Sequence, residues 1–565
     1  MSGGFLSWLA GYRPERATAL AHESRTAERN DLLGAVHGDE RRFVEAMVGR
    51  ERSPHVVLGT AAGTDYRLPL ADMAGLFTHI TATTGGGKSR FVGAWMNAVV
   101  DHLISGTLPI SLILADLKGE TADLFLRALG GRLQTASKEQ RAKVLERLIT
   151  IRFFSGETLP EFNLLAPADG ADPLTQAYAL AETIESTVGA ALGSRQVTAF
   201  GTLLALAIEQ RLTLIELRYL VHDPERVAAL AARSKLAEVR HYIATRFARE
   251  RGVADGIVSR LDALLRIQSV KAASAGPGIL DVKRCFIPGA ISVWDFGGSP
   301  LGSDEVRRAM SALAIARLTS AVFDPTRDRR GFTVIVCDEL AEAITPATLA
   351  NVSRLLVTAR SFGVGVISLH QSVAQLPKEV QTLLATNCRM RVIGRSSEAD
   401  ARDALEWLPK TGRVPRPRIP GRRSETLEFL SDAEERNYRV AEVGHLPRQH
   451  FVIADRAAPF GSRVIRAPDF DPPAWDRLDP ALADALLKGS VGVPRTELLR
   501  RAAELEARVV PPNAPGPTEA SAVATTEPLP PPVPSPRQST RRRRAPAPGP
   551  DVITPAVRPL KGDVP

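Results

Sequence analysis

Two stretches of this chain carry residue types suited to phosphoryl chemistry. In residues 77–90, FTHITATTGGGKSR, a β-branched run leads into Gly85, Gly86 and Gly87, followed by Lys88 and Ser89. A strand, a glycine-rich turn and a Lys-Ser pair opening a helix form a cradle for a polyphosphate. Glycines leave backbone N–H groups free to point at phosphate oxygens, and the helix N-terminus adds favourable partial charge. Lys88 would reach the β- and γ-phosphates, and the Ser89 hydroxyl would ligate Mg2+. The whole stretch Thr84, Gly85, Gly86, Gly87, Lys88, Ser89 and Arg90 is the candidate triphosphate-binding set. The first position of the G-x-x-x-x-G-K-[ST] pattern holds Ala82, a side chain small enough for most of such a turn.

The second stretch, FTVIVCDEL over residues 332–340, is a hydrophobic run delivering Asp338 and Glu339 to its C-terminal end. Open α/β sheets bind ligands at that edge of their strands. Asp338 would complete the Mg2+ shell, and Glu339 would orient and deprotonate the attacking water. About 20 residues on, TARSFGVGVISLHQSVAQL places Arg360 at a helix end, Gly363 in a turn and Gln371 at a strand tip. Arg360 is suited to stabilise charge developing on a γ-phosphate, and Gln371 to sense that phosphate. Spacing alone fits equally well a helix C-cap for Arg360 and a loop partner for Gln371.

These residues need a sheet to position them, and the remaining pattern predicts one. ISLILADLKGE, LITIRFF, AISVWDFGG, VGVISLHQS, RMRVIGRSS and HFVIADR read as apolar strands separated by helical segments. Continuous apolar runs suit parallel strands covered on both faces, and HFVIADR is taken to close the core. The fold expected is α/β, a RecA-like P-loop NTPase core with a mostly parallel doubly wound sheet. An all-α insertion and a disordered Pro-rich C-terminal tail complete it. The boundaries expected are a helical, polar segment over 1–54 and the first part of the core over 55–170. The all-α insertion covers 171–275, the second part of the core 276–475, a helical segment 476–510 and the Pro/Arg tail 511–565.

With 565 residues the chain can bury a large core, and its 72 Lys and Arg against 63 Asp and Glu give a net charge of +9. That balance is compatible with a polyanionic partner. Cys285, Cys337 and Cys388 lack metal-ligand spacing and sit in apolar runs, which points to reduced core residues in the cytoplasm. No apolar run is long enough for a transmembrane helix. The N-terminal FLSWLAGY lacks the basic flank and length of a secretory signal.

In their order, THITATTGGGKS, ILADLKGE, FNLL at 162–165, VIVCDEL and ARSFGVGVISLHQSVAQL resemble the type IV secretion coupling proteins. Those are TraG-type conjugative DNA-transfer ATPases of the FtsK–HerA superfamily. The resemblance spans residues 55–456, and ARSFG…Q is its most specific phrase. Leu117 and Leu164 stand where the family's phrases usually carry proline. The resemblance implies ATP hydrolysis with Mg2+ and a homo-hexameric ring that moves DNA. Arg360 would be an arginine finger reaching the neighbouring subunit's nucleotide, Gln371 the sensor, and Lys88 and Glu339 catalytic partners. It also implies a relaxase or secretion-channel protein as partner. The family's N-terminal membrane anchor is missing, which favours a soluble form at most peripheral to the inner membrane, or a HerA-like translocase. An ATPase that energises protein secretion or pilus assembly shares the same motor.

One basic segment, PKTGRVPRPRIPGRR, concentrates Lys410, Arg413, Arg416, Arg418, Arg422 and Arg423 between prolines. Its cations could neutralise DNA phosphates, and with no aromatic residues for stacking they would track the backbone rather than read bases. A solvated loop or subunit contact fits as well. Arg541 to Arg544 form a second basic block, in the tail.

Overall fold

The computed structural model describes residues 41–509 apart from 62, 106–108, 168–171, 189–192, 250, 279, 299–303, 329, 406–429, 459–461 and 489–490. The six cations of the 409–423 segment, the Arg541–Arg544 block and most of the expected N-terminal segment lie outside the described residues.

The strands in chain order are β1 His55–Ala61, β2 Thr64–Pro69, β3 Phe77–Thr81, β4 Ile110–Asp116, β5 Leu148–Arg152 and β6 Thr158–Leu159. They continue with β7 Ile291–Asp295, β8 Phe332–Asp338, β9 Val364–His370 and β10 Met390–Ile393. The last are β11 His450–Asp455, β12 Arg463–Arg466 and β13 Val493–Pro494. Eleven form one sheet in the order β2-β1-β12-β11-β10-β3-β9-β8-β4-β7-β5, and β6 pairs with β13 apart from it. From β10 to β5 all neighbours are parallel. From β10 to β2 all are antiparallel. The chain is therefore α/β with a mostly parallel sheet.

HFVIADR does not close the sheet. β12 follows it, and through β12 the sheet runs on into the N-terminal hairpin β1–β2. The signal for β12 is faint: four residues, RVIR, with a buried Arg463 at one end.

Helices cover both faces. α1 Lys88–Ser105 and α2 Glu120–Thr135 lie on one, and α3 Lys138–Arg147 leads into β5. Between Pro173 and Ser274 the described residues form seven helices, α4 to α10, with no strand among them. The stretch DPERVAALAARSKLAEVRHYIATRFA, whose apolar spacing fits one amphipathic helix, forms two, Pro224–Ala232 and Ala237–Thr245. α11 Asp304–Phe323 and α12 Pro346–Thr358 then flank β8 in sequence. In β4, Leu112 and Leu114 share a core with Trp95 of α1 and Phe125 of α2. Ile113 and Ala115 join another with Ile315 of α11 and Leu355 of α12. Successive side chains thus face opposite cores, which is why these strands read as unbroken apolar runs.

Candidate nucleotide site

β3 carries the chain to the C-terminal edge of the parallel strands, and the glycine-rich loop turns there. The Thr83 amide and hydroxyl both donate to the Arg395 carbonyl, at 2.8 and 3.0 Å, tying the loop to the end of β10. Gly85 (φ +77°) and Gly87 (φ +92°) occupy the left-handed region that only glycine adopts freely. Ala82 is absent from the residues with positive φ, so its position does not demand glycine. Its buried methyl fills space beside Gly86 and Gly394, whose own Cβ atoms would come within 3.1 and 2.8 Å of it. Lys88 then opens α1.

β9 lies between β3 and β8 in the sheet, so Gln371 emerges between the glycine-rich loop and the Asp338–Glu339 pair. Glu339 sits in the left-handed region at φ +61°, a strained turn that sends the chain out of β8. It is only 2 % exposed. Its Oε2 accepts from Lys118 Nζ at 3.0 Å, Gln371 Nε2 at 3.4 Å and Lys88 Nζ at 3.5 Å. Oε1 accepts from the Gln371 amide at 3.2 Å. The Thr84 hydroxyl donates to Gln371 Oε1 at 3.3 Å, so Gln371 joins the phosphate loop to the acid. Burial works to raise the Glu339 pKa, yet Lys88 and Lys118 hold it below the usual carboxylate range.

Asp338 is different. Burial and the neighbouring Asp116 push its pKa up to about 7, against a hydrogen bond donated by the Thr121 hydroxyl. Asp338 and Asp295 both stand opposite Asp116 in the strand register, so three acids end β8, β4 and β7 at one level. Burial raises Asp116 and Asp295 as well. Asp116 accepts from the amides of Lys118 (2.9 Å) and Ala122 (2.8 Å), folding the DLKGE turn back over the sheet edge. Gly119 makes this possible at φ +87°, because a Cβ there would stand 2.9 Å from both Asp295 Oδ1 and Gly297 Cα. Behind Glu339, His370 and His79 pack ring to ring at 5.1 Å, fully buried, and burial drives the His370 pKa down to about 3.

An Mg2+ ion fits the donor chemistry available. Ser89 and Asp338 offer oxygen ligands only, and no group of three or more His, Cys, Asp or Glu forms a cage among the described residues. Mg2+ suits such a site because it takes much of its shell from phosphate and water.

Arg360 lies at the other edge. It belongs to the turn Ala359–Phe362 that precedes β9, and it packs against Gly75, just before β3. It is exposed and makes no ion pair or side-chain hydrogen bond to a described residue. Arg90 donates to the Phe470 carbonyl at 2.8 Å, tying α1 to the chain after β12. The residues brought together are therefore Thr84, Lys88, Glu339 and Gln371, with Asp338 beside them. In the sequence, the DLKGE phrase reads equally as a coupling of β4 to the nucleotide or pore through Asp116, Lys118 and Glu120 or as a polar strand-to-helix turn, and Thr121, the residue after it, carries no signal. Asp295 was detectable as an acid ending an apolar strand, but nothing in its spacing marked His370.

These features define a P-loop site on an α/β sheet. No family model matches the chain, and no curated protein does. Among solved structures it is similar to the bacterial conjugative coupling protein TrwBdeltaN70 in its unbound monoclinic form. They are 15 % identical over 74 % of this chain and 89 % of that one, with a TM-score of 0.45. The plasmid coupling protein TrwB in complex with ADP and Mg2+ is 14 % identical over 74 % and 90 %, with a TM-score of 0.46. VirB4 of Thermoanaerobacter pseudethanolicus is 15 % identical over 73 % and 96 %, with a TM-score of 0.48.

Proposed function

We propose that this chain is an ATP-driven DNA translocase, resembling a conjugative coupling protein and acting as a ring of identical subunits, a hexamer by the family resemblance. The observation that supports this most is the constellation of Lys88, Glu339 and Gln371 at one sheet edge with Arg360 at the opposite edge. Amides of Gly85 to Ser89 and the Lys88 ammonium bind the phosphates, and Ser89 and Asp338 hold Mg2+, which neutralises phosphate charge. Glu339 takes the proton of the attacking water, oriented by Gln371. Arg360 serves the nucleotide of the adjacent copy. Lys410, Arg413, Arg416, Arg418, Arg422 and Arg423 contribute backbone contacts to DNA, and a relaxase or channel protein supplies the cargo or exit. No helix among the described residues is long and apolar enough to cross a membrane, which suits a cytoplasmic motor recruited by partners.

Phosphate release measured with and without single- and double-stranded DNA, over a salt series, tests the reading. Hydrolysis stimulated by DNA, falling steeply as salt rises, is the expected result, since neutralised phosphates release counter-ions. Lys88→Ala should abolish turnover and keep the fold. Parent-rate hydrolysis by that variant would overturn the site, whereas hydrolysis indifferent to DNA would redirect the motor to protein secretion or pilus assembly.

A further inference from the structure

Glu339 has two lysines on one oxygen, and they are not equivalent. Lys88 opens α1 directly behind the glycine-rich loop, and its 3.5 Å contact is the longest of the four donors on Glu339. Lys118 makes the shortest, at 3.0 Å, and comes from a different element, the turn between β4 and α2. That turn is clamped on three sides. Asp116 accepts from the Lys118 amide at 2.9 Å, and Arg307 of α11 donates to the Leu117 carbonyl at 2.9 Å. Arg307 also pairs with Glu342, whose carboxylate lies 4.0 Å from Lys118 Nζ. Lys118 is thus fastened at its backbone while its side chain remains 39 % exposed.

If nucleotide phosphates engage Lys88, Glu339 keeps only the donors of Gln371 unless a second cation remains. A buried carboxylate that loses its counter-charge is strongly destabilised in its ionised form and gives up its fixed orientation. We propose that Lys118 is a positioning residue for hydrolysis, the cation that stays on Glu339 and holds it in place while Lys88 serves the phosphates. This rests on the nucleotide-site reading above and adds to it a division of labour between the two lysines. Among the described residues, the charged and titratable groups around the pair are Lys88, Asp338, Asp116, Glu342, Arg307 and His370, and only Lys88 and Lys118 donate a cationic hydrogen bond to Glu339.

The test is single-turnover hydrolysis by the full chain carrying Lys118→Met, Lys118→Arg, Glu339→Gln, or Lys118→Met with Glu339→Gln. Affinity for a fluorescent ATP analogue and thermal melting are measured alongside. Lys118→Met should lower the chemical step roughly ten- to hundredfold, with analogue affinity changed less than about threefold. Lys118→Arg should recover much of the loss. Because Lys118 acts through Glu339, adding Lys118→Met to Glu339→Gln should slow hydrolysis no further. Multiplying losses in the double variant, or weakened analogue binding in Lys118→Met, would overturn the proposal. So would a parent-rate Lys118→Met beside an inactive Glu339→Gln. A parent-rate Glu339→Gln would instead remove the reading of Glu339 as the base, which is how the two failures are told apart.

Discussion

The position of Arg360 makes a quantitative prediction about where hydrolysis is completed. Arg360 precedes β9, and Gln371 follows its last residue, so the full strand Val364–His370 separates the arginine from the phosphate loop. Seven residues at about 3.3 Å each span roughly 20 Å, far beyond the reach of one side chain. If Arg360 serves hydrolysis, it does so for another copy. An arginine finger is worth about 10³- to 10⁵-fold in related chemistry, so Arg360→Ala and Lys88→Ala should each be nearly inactive alone. Every seam in a head-to-tail ring takes Lys88 from one subunit and Arg360 from the next. When the two variants are mixed, a seam is intact where an Arg360→Ala subunit supplies the lysine and a Lys88→Ala subunit the arginine. With fraction f of one variant, intact seams follow f(1−f) and peak near one quarter at equal mixing if seams act independently. The assay is phosphate release after subunit exchange, across mixing ratios. A curve that rises from both ends to a maximum near equal parts is the expected result. Mixtures no better than the sum of the separate variants, or an Arg360→Ala protein at the parent rate, would refute the reasoning.

Two further outcomes follow from the packing around the site. Gly119→Ala forces a Cβ into 2.9 Å contact with Asp295 Oδ1 and Gly297 Cα at φ +87°. It should destabilise the protein by about 1–3 kcal/mol and slow hydrolysis with it, and an unchanged melting temperature would show that the turn yields. His370, buried and neutral, has its pKa lowered to about 3 from the ordinary 6.5. The unfolded chain therefore takes up this proton first as pH falls, so the contribution of His370 is complete above about pH 6.5 and is lost progressively toward pH 3. At pH 5 the loss is about 2 kcal/mol, and His370→Leu should lose less stability than the parent between pH 7.5 and 5 in urea unfolding. Parallel losses in the two proteins would contradict it.

Much of the sheet was legible because strands covered on both faces are mostly apolar, as β4 and β8 are apart from the mutually hydrogen-bonded Ser111 and Thr333 and the aspartates that end them. The glycine-rich loop was legible for a similar reason: its chemistry is local, contained in residues 82–89. Strand order is not local. That β9 lies between β3 and β8 is decided by packing among residues hundreds of positions apart, and it alone brings Gln371 against Glu339. RVIR and the helix break near Lys235 were missed because short or charged segments owe their conformation to neighbours rather than to a repeating pattern.

The same distinction explains why the sequence leaves the role of the site's second lysine open between a link to the nucleotide and a plain polar turn. Lys118 lies in the DLKGE phrase, but its meaning depends on Asp116 turning the chain and on β4 being the neighbour of β8, so that the turn falls beside Glu339. Strand adjacency also determines which acids crowd together. Asp338 and Asp295 both flank Asp116 at the same level, and burying them side by side raises all three pKa values. Glu339, one residue beyond Asp338, turns through φ +61° toward Lys88 and Lys118 and is held ionised. Two adjacent acids thereby acquire opposite electrostatic characters from one backbone turn. That suits one to wait for a metal ion and the other to act on water.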